Sequence, residues 1–283
     1  MFDTIIIGKG PSGISAAIYL KRSNKNVLVI GKDNGSLYDG VVIDNYYGFP
    51  GGITGTELIE RGVKQANELG IDVLQDEVIA IDKYEHFTVT TKKGVFEGKT
   101  VLLATGKPRT TLKIKGFQKY RGKGISFCVT CDGFFFRKKK LALIGYNEYM
   151  LHELKDMEFL TEDIQIFTNG NALTVDVDYP VVHEQITEIT GDEDKATTIV
   201  TSNGSYDVDG IFIALGSPGA VEFATRIGAI VENTNIVVDD NFMTNIEGLY
   251  AAGDTVGGVL QVAKAAADGM HAAIAIKKQR TKR

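Results

Sequence analysis

Two cysteines, Cys128 and Cys131, stand in Phe127-Cys128-Val129-Thr130-Cys131-Asp132-Gly133, and they are the only two in 283 residues. A two-residue spacer lets the thiols close a small disulphide ring and stabilises the thiolate of one of them, which makes the pair a store for two electrons. Zinc would need about four ligands, and the other soft candidates, His86, His152, His183 and His271, have no paired spacing. No metal is therefore expected. A second feature opens the chain: Gly8-Lys9-Gly10-Pro11-Ser12-Gly13 follows a β-branched run and precedes helical spacing. In this GxGxxG pattern Gly8 permits the tight turn and Gly10 lets backbone approach a pyrophosphate. Gly13 lets the helix close on the strand, its N-terminus toward the phosphates. The expected ligand is a dinucleotide held by Gly8, Gly10, Pro11, Ser12 and Gly13. One contact is missing, because Gly31 stands where an acid often meets the ribose.

The elements that must position these residues follow from composition and repetition. Hydrophobic residues at 43 %, charged residues at 24 % and 32 glycines describe a globular chain with many turns, not a disordered or collagen-like one. Residues 5–20 are apolar, but no basic segment precedes them as in a secretory signal. A cytoplasmic protein without a membrane span is expected, and in that reducing setting two cysteines read as a catalytic pair. The length allows two core-bearing domains. Residues 100–106 read Thr-Val-Leu-Leu-Ala-Thr-Gly, and residues 209–216 repeat the plan as Asp-Gly-Ile-Phe-Ile-Ala-Leu-Gly. Residues 141–144 form a strand that could pair with the latter and run into Gly145. The duplication predicts an α/β fold of two Rossmann-like, three-layer ββα domains, the second inserted in the first. The boundaries expected are 1–109 with 239–283 for the discontinuous domain and 110–238 for the insert, with crossings at 107–111 and 238–240. Residues 249–254, Leu-Tyr-Ala-Ala-Gly-Asp, form a strand and turn ending in an acid, and 261–277 is alanine-rich and helical.

In order along the chain, Gly8 to Gly13, Asn45-Tyr46-Tyr47-Gly48-Phe49-Pro50-Gly51, Ala104-Thr105-Gly106, Cys128 to Gly133 and Gly253-Asp254 resemble the low-molecular-weight thioredoxin reductases over nearly the whole length. The resemblance implies FAD in the first domain, with Asp254 on the ribityl chain, Asn45 near the flavin and contacts from Ala104, Thr105, Gly106 and Gly253. It also implies that Cys131 faces the flavin, that Cys128 attacks a thioredoxin, that Asp132 is the nearby proton donor, and that the enzyme is a homodimer. Residues at the family's Arg-Gln pair read Gln261-Val262 here. Its Gly-Gly-Gln after the second strand is Gly35-Ser36-Leu37, so flavin contacts are expected to be rearranged.

The departures in the second domain are larger. Family members bind NADPH through a second glycine fingerprint and a His-Arg-Arg run on the 2′-phosphate. The fingerprint here reads Gly145-Tyr146-Asn147-Glu148-Tyr149-Met150, and the basic run reads Thr168-Asn169-Gly170. Side chains at Asn147 and Met150 would obstruct the phosphates and hold the helix off its strand, and Glu148 adds negative charge. Pyridine nucleotide is therefore not the expected donor.

Residues 107–140 hold eleven Lys or Arg and one acid, Asp132, in a chain of net charge −5. Such a stretch would attract an acidic partner. The sequence resembles the subgroup of ferredoxin-dependent flavin thioredoxin reductases that keep FAD and the cysteine pair but lack the NADPH motifs. A reduced ferredoxin as donor and thioredoxin as acceptor are the expected partners. The alternatives are an NAD(P)H-dependent reductase with altered contacts and a non-turnover flavin redox sensor. Nucleic acid is not expected, since no motif accompanies the basic stretch. Phe134, Phe135 and Phe136 are expected to pack in a core or between the domains, with a docking role for one of them as the alternative.

Overall fold

The computed structural model describes residues 1–37, 42–107, 113–127, 129–215, 219–232 and 234–279, with backbone alone for Thr130 and Cys131. The chain forms two compact units, one of Met1–Arg109 with Gly219–Arg283 and the other of Thr110–Pro218. Each repeats one three-layer plan.

In the first unit Asp72–Gln75, Val27–Gly31, Phe2–Ile7, Val95–Leu103 and Leu249–Ala251 lie side by side as a parallel sheet. The strand Val95–Leu103 serves twice: its first half pairs antiparallel with Phe87–Thr91, which pairs with Val78–Lys83, and its second half joins the parallel sheet. Strands buried on both faces read as continuous apolar runs, and alternate residues go to opposite layers. Ile5, Ile7, Leu28, Ile30, Val101 and Leu103 meet Val78, Ile81, Phe87 and Val89 of the antiparallel layer. Ile6, Val27, Val29, Leu102 and Tyr250 meet Ala16, Ala17, Ala272 and Ala273 of the helices Pro11–Lys21 and Val262–Lys278.

The second unit sets Val181–Val182, Ile164–Phe167, Leu141–Gly145, Gly210–Ala214 and Ile125–Ser126 in a parallel sheet. A three-stranded antiparallel sheet of Ile186–Gly191, Ala196–Thr201 and Ser205–Asp207 covers one face. The helix Glu148–Met157 covers the other, packing Met150, Leu154 and Met157 on Leu143, Ile166 and Phe212.

The return to the first unit falls at Gly219, about twenty residues before the expected 238–240 crossing. The helix Ala220–Arg226 accounts for the difference, because Ala220, Phe223 and Ala224 are buried in the first unit's core beside Ile81 and Val78. The helices Pro11–Lys21 and Val262–Lys278 of that unit also touch at backbone level. A Cβ on Gly269 would stand 2.0 Å from the carbonyl oxygen of Ser12, and Ser15 Oγ donates to the Ala266 carbonyl at 2.7 Å. Gly62, inside the helix Gly55–Glu68, has Ile14 Cγ2 as its nearest neighbour at an ordinary 3.4 Å.

The same substitution should therefore have opposite signs at these two helical glycines. Gly269→Ala is expected to destabilise by about 1–3 kcal/mol through overpacking, and Gly62→Ala to be neutral or stabilising by up to about 1 kcal/mol through propensity. Urea unfolding reads both, and equal midpoints would contradict the close helix crossing.

Candidate functional site

The glycines of the first fingerprint divide into two kinds. Gly8 has a φ of +118° and a Cβ there would lie 2.3 Å from the Ala104 carbonyl oxygen. A Cβ on Gly13 would lie 1.9 Å from the carbonyl oxygen of Gly8. Packing inside the protein dictates both. Gly10 caps the N-terminus of Pro11–Lys21 without a side chain, and its Cβ would meet nothing within 4 Å. Bare backbone that no neighbour requires fits a ligand that must approach closely. Pro11 at the first helical position removes an N–H that would lack a partner, and Ser12 Oγ is buried with no hydrogen-bond partner among the described residues. Buried hydroxyls are rarely left so. An open helix N-terminus, a bare backbone and an orphaned hydroxyl together suit a pyrophosphate.

The turn after Leu249–Ala251 forms the other wall. Gly253, at a φ of +81°, donates its N–H to Asp268 Oδ2 at 3.1 Å. Lys264 Nζ donates to the carbonyls of Gly253 at 3.0 Å and Gly257 at 2.6 Å, and pairs with Asp268 at 2.7 Å. Lys264 and Asp268, one helical turn apart, thus clamp the loop that carries Asp254. Burial pushes the Asp254 carboxyl above its ordinary value, against the pull of Lys264 and Lys107. Burial likewise lowers Lys107, and Asp254 opposes that shift. Lys107, just past Ala104-Thr105-Gly106, donates to Thr234 O at 2.6 Å and to Asn235 Oδ1. Thr105 Oγ1 accepts the N–H of Ala220 at 3.1 Å, which fixes this turn against the helix Ala220–Arg226. Asn45 Nδ2 donates to Gln261 Oε1 at 3.0 Å, so two residues 216 apart in sequence meet at the start of the helix whose first residue is Val262.

At the second fingerprint the protein's own side chains take up helix amides and the space above the strand end. Asn147 caps Glu148–Met157, its Oδ1 accepting from the N–H groups of Tyr149 at 3.1 Å and Met150 at 3.3 Å. Those amides are the donors a phosphate would use. Met150 is fully buried, and a Cβ on Gly145 would stand 2.5 Å from both Cβ and Cγ of Met150. Instead of holding the helix off its strand, Met150 fills the space above Gly145. Thr168, where the basic run would begin, is wholly buried. Asn169, at a φ of +50°, accepts from Ile186 N–H at 2.8 Å, and Asn171 Nδ2 donates to the Thr168 carbonyl at 2.8 Å. The polar groups of that loop are taken up within the second unit.

Cys128 lies outside the described residues, and the Cys131 side chain is likewise not described. The backbone of Val129–Asp132 is a single helical turn. Its Val129 N–H donates to Oε2 of the buried Glu153 at 3.2 Å, and Ser126 Oγ donates to Asp132 Oδ2 at 2.6 Å. The phenylalanines that follow do not all pack. Phe134 and Phe135 are 69 % and 76 % exposed, with Arg137 over the Phe134 ring at 5.2 Å. Only Phe136 turns inward, edge-on to Phe212 at 5.6 Å and against Gly210.

The sequence pattern of the pyridine nucleotide-disulphide oxidoreductases matches residues 2–146 and 158–269. A thioredoxin reductase from Aquifex aeolicus is 31 % identical over 98 % of this chain and 93 % of its own length. The chain belongs to the thioredoxin reductase family. It is a flavoprotein disulphide oxidoreductase whose cofactor is FAD, and the Gly10 cradle and the Ser12 hydroxyl fit that cofactor. Among solved structures, the atypical thioredoxin reductase TRi of Desulfovibrio vulgaris Hildenborough superposes with a TM-score of 0.89 at 31 % identity, each chain fully covered. A ferredoxin-flavin thioredoxin reductase from Clostridium acetobutylicum superposes at 0.69, also 31 % identical, over 98 % of this chain and 97 % of its own.

Sequence reasoning missed Lys107, Lys264, Asp268 and Glu153. The i,i+4 spacing of Lys264 and Asp268 was a usable signal; nothing marked Glu153, and Lys107 was read only as part of the basic stretch 107–140. A carboxyl whose pKa rises on folding opposes folding when ionised, so Asp254 costs stability increasingly as pH climbs from the ordinary carboxylate range to its raised value. Asp254→Asn is expected to raise the melting temperature of the FAD-free thioredoxin reductase at pH 7, an advantage that shrinks toward pH 4, and to weaken FAD retention. Calorimetry checks the first and filtration with absorbance the second. A less stable variant at pH 7 would show that the carboxylate serves the fold.

Proposed function

We propose that this thioredoxin reductase reduces thioredoxin through Cys128 and Cys131 with electrons that reach FAD from a reduced ferredoxin instead of NADPH. The observation that carries this reading is the Asn147 cap on the amides of Tyr149 and Met150. With Met150 seated over Gly145 and Asn169 committed to Ile186, the second unit lacks both the phosphate cradle and the cationic clamp. The Clostridium acetobutylicum neighbour, a ferredoxin-flavin thioredoxin reductase, supports the same donor.

The energetics suit it. Plant-type ferredoxins near −400 mV lie below thioredoxin at about −270 mV, roughly 6 kcal/mol downhill for two electrons. FAD when bound takes electrons singly and passes them as a pair. The chain's own residues do the exchange. The Cys128 thiolate attacks one sulphur of the thioredoxin disulphide, forming a mixed disulphide and releasing the other sulphur as a thiolate. The Cys131 thiolate then attacks Cys128 sulphur, freeing dithiol thioredoxin and re-forming the Cys128–Cys131 bond. Asp132, held by Ser126, handles the proton. The exposed rings of Phe134 and Phe135 offer thioredoxin an apolar contact. The lysines and arginines of 107–140 offer the acidic ferredoxin a complementary field. A cytoplasmic homodimer completes the proposal, on the strength of the family resemblance.

An anaerobic absorbance titration tests it. NADPH in tenfold excess is expected to leave the oxidised flavin band in place, and reduced ferredoxin to bleach it and to drive thioredoxin reduction. Bleaching by NADPH alone would overturn the choice of donor.

A further inference from the structure

The first fingerprint has one unexplained position, Gly31, at the end of the strand where an acid ordinarily holds the adenosine ribose. A Cβ on Gly31 would stand 2.5 Å from Cγ, 2.9 Å from Cβ and 3.0 Å from Cδ of Lys9. The stem of Lys9 therefore lies across bare backbone, in the space where the acid's side chain would begin. Its ammonium reaches Gln75 Oε1 at 2.6 Å, and Gln75 in turn donates through Nε2 to the Lys32 carbonyl. Glycine at 31 and lysine at 9 are thus one arrangement, since any side chain at the first position would expel the stem of the second.

The nearby acids are committed elsewhere. Asp33 Oδ1 accepts from Gly35 N–H at 2.7 Å. Asp76 accepts from the N–H groups of Glu77 at 2.7 Å and Lys93 at 3.2 Å. Glu77 pairs with Lys32 at 2.9 Å and Lys92 at 3.0 Å. Where the fold usually offers an acceptor to the ribose hydroxyls, this chain offers a donor.

We propose that Lys9 is the adenosine-ribose reader of the FAD site, its ammonium donating to ribose hydroxyl oxygens with Gln75 as its anchor. The inference rests on FAD occupying the first fingerprint.

Dilution of the holoenzyme, followed by recovery of free-flavin fluorescence, gives the FAD dissociation constant. Lys9→Met keeps the stem and removes the donor, and is expected to raise that constant about tenfold or more; Lys9→Gln gives a second neutral variant. Lys9→Arg should recover most of the loss, and Lys9→Ser combined with Gly31→Glu should recover it by restoring the acid. Asp33→Asn should leave it unchanged. Far-UV circular dichroism confirms that each variant is folded. Wild-type retention by both neutral variants, or a loss confined to Asp33→Asn, would overturn the role of Lys9. A wild-type protein that holds no flavin would instead overturn the occupancy of the site.

Discussion

The free amides at the start of a helix are its anion site, and in the second unit two of them are taken by the protein's own Asn147. The Oδ1 bonds to Tyr149 and Met150 give the helix Glu148–Met157 a cap of the kind worth about 0.5–2 kcal/mol. A phosphate in the same place would have to displace the side chain and forfeit that stabilisation. Met150 makes the exclusion structural, because it occupies the gap above Gly145 that glycine-like residues would leave open. Two lost guanidinium contacts at the Thr168-Asn169 turn add roughly 1.5–3 kcal/mol each. The direction of every one of these changes is the same, and together they carry the proposal that the second unit does not take pyridine nucleotide.

The first unit shows the same architecture with its opening kept. Gly8 and Gly13 are fixed by contacts with Ala104 and with each other, whereas Gly10 faces open space. On the opposite wall Lys264 and Asp268 hold the Gly253–Gly257 turn, and burial raises the Asp254 carboxyl above its ordinary value. A ligand that binds the native state of such a site stabilises the fold by mass action. The contrast between the units is therefore one of side-chain commitment: at one strand end Asn147 is spent on the helix amides, and at the other Gly10 offers no side chain and the Ser12 hydroxyl has no partner among the described residues.

Much of this was legible in residue types. The GxGxxG pattern and the repeated strand ending in Ala-x-Gly gave the two-unit α/β plan, and the residue types at 147, 150, 168 and 169 raised the expectation, kept as a proposal, that the second unit does not take pyridine nucleotide. The return at Gly219 was missed although the same signal marked it. Chain crossing follows directly on Ala104-Thr105-Gly106 in one repeat and on its copy ending at Gly216 in the other. The phenylalanine run misled because three adjacent rings on the tight turn Gly133–Phe136 point in different directions, so one reaches Phe212 and two face solvent. Lys9 was illegible for another reason: its meaning depends on a stem lying over Gly31, a contact that spacing along the chain does not reveal.

The central claim, that the protein's own side chains close the second fingerprint to pyridine nucleotide, is tested most directly by isothermal calorimetry of NADPH binding to the FAD-loaded, oxidised protein. The account predicts no saturable heat up to millimolar NADPH. A saturable isotherm in the micromolar range would contradict it.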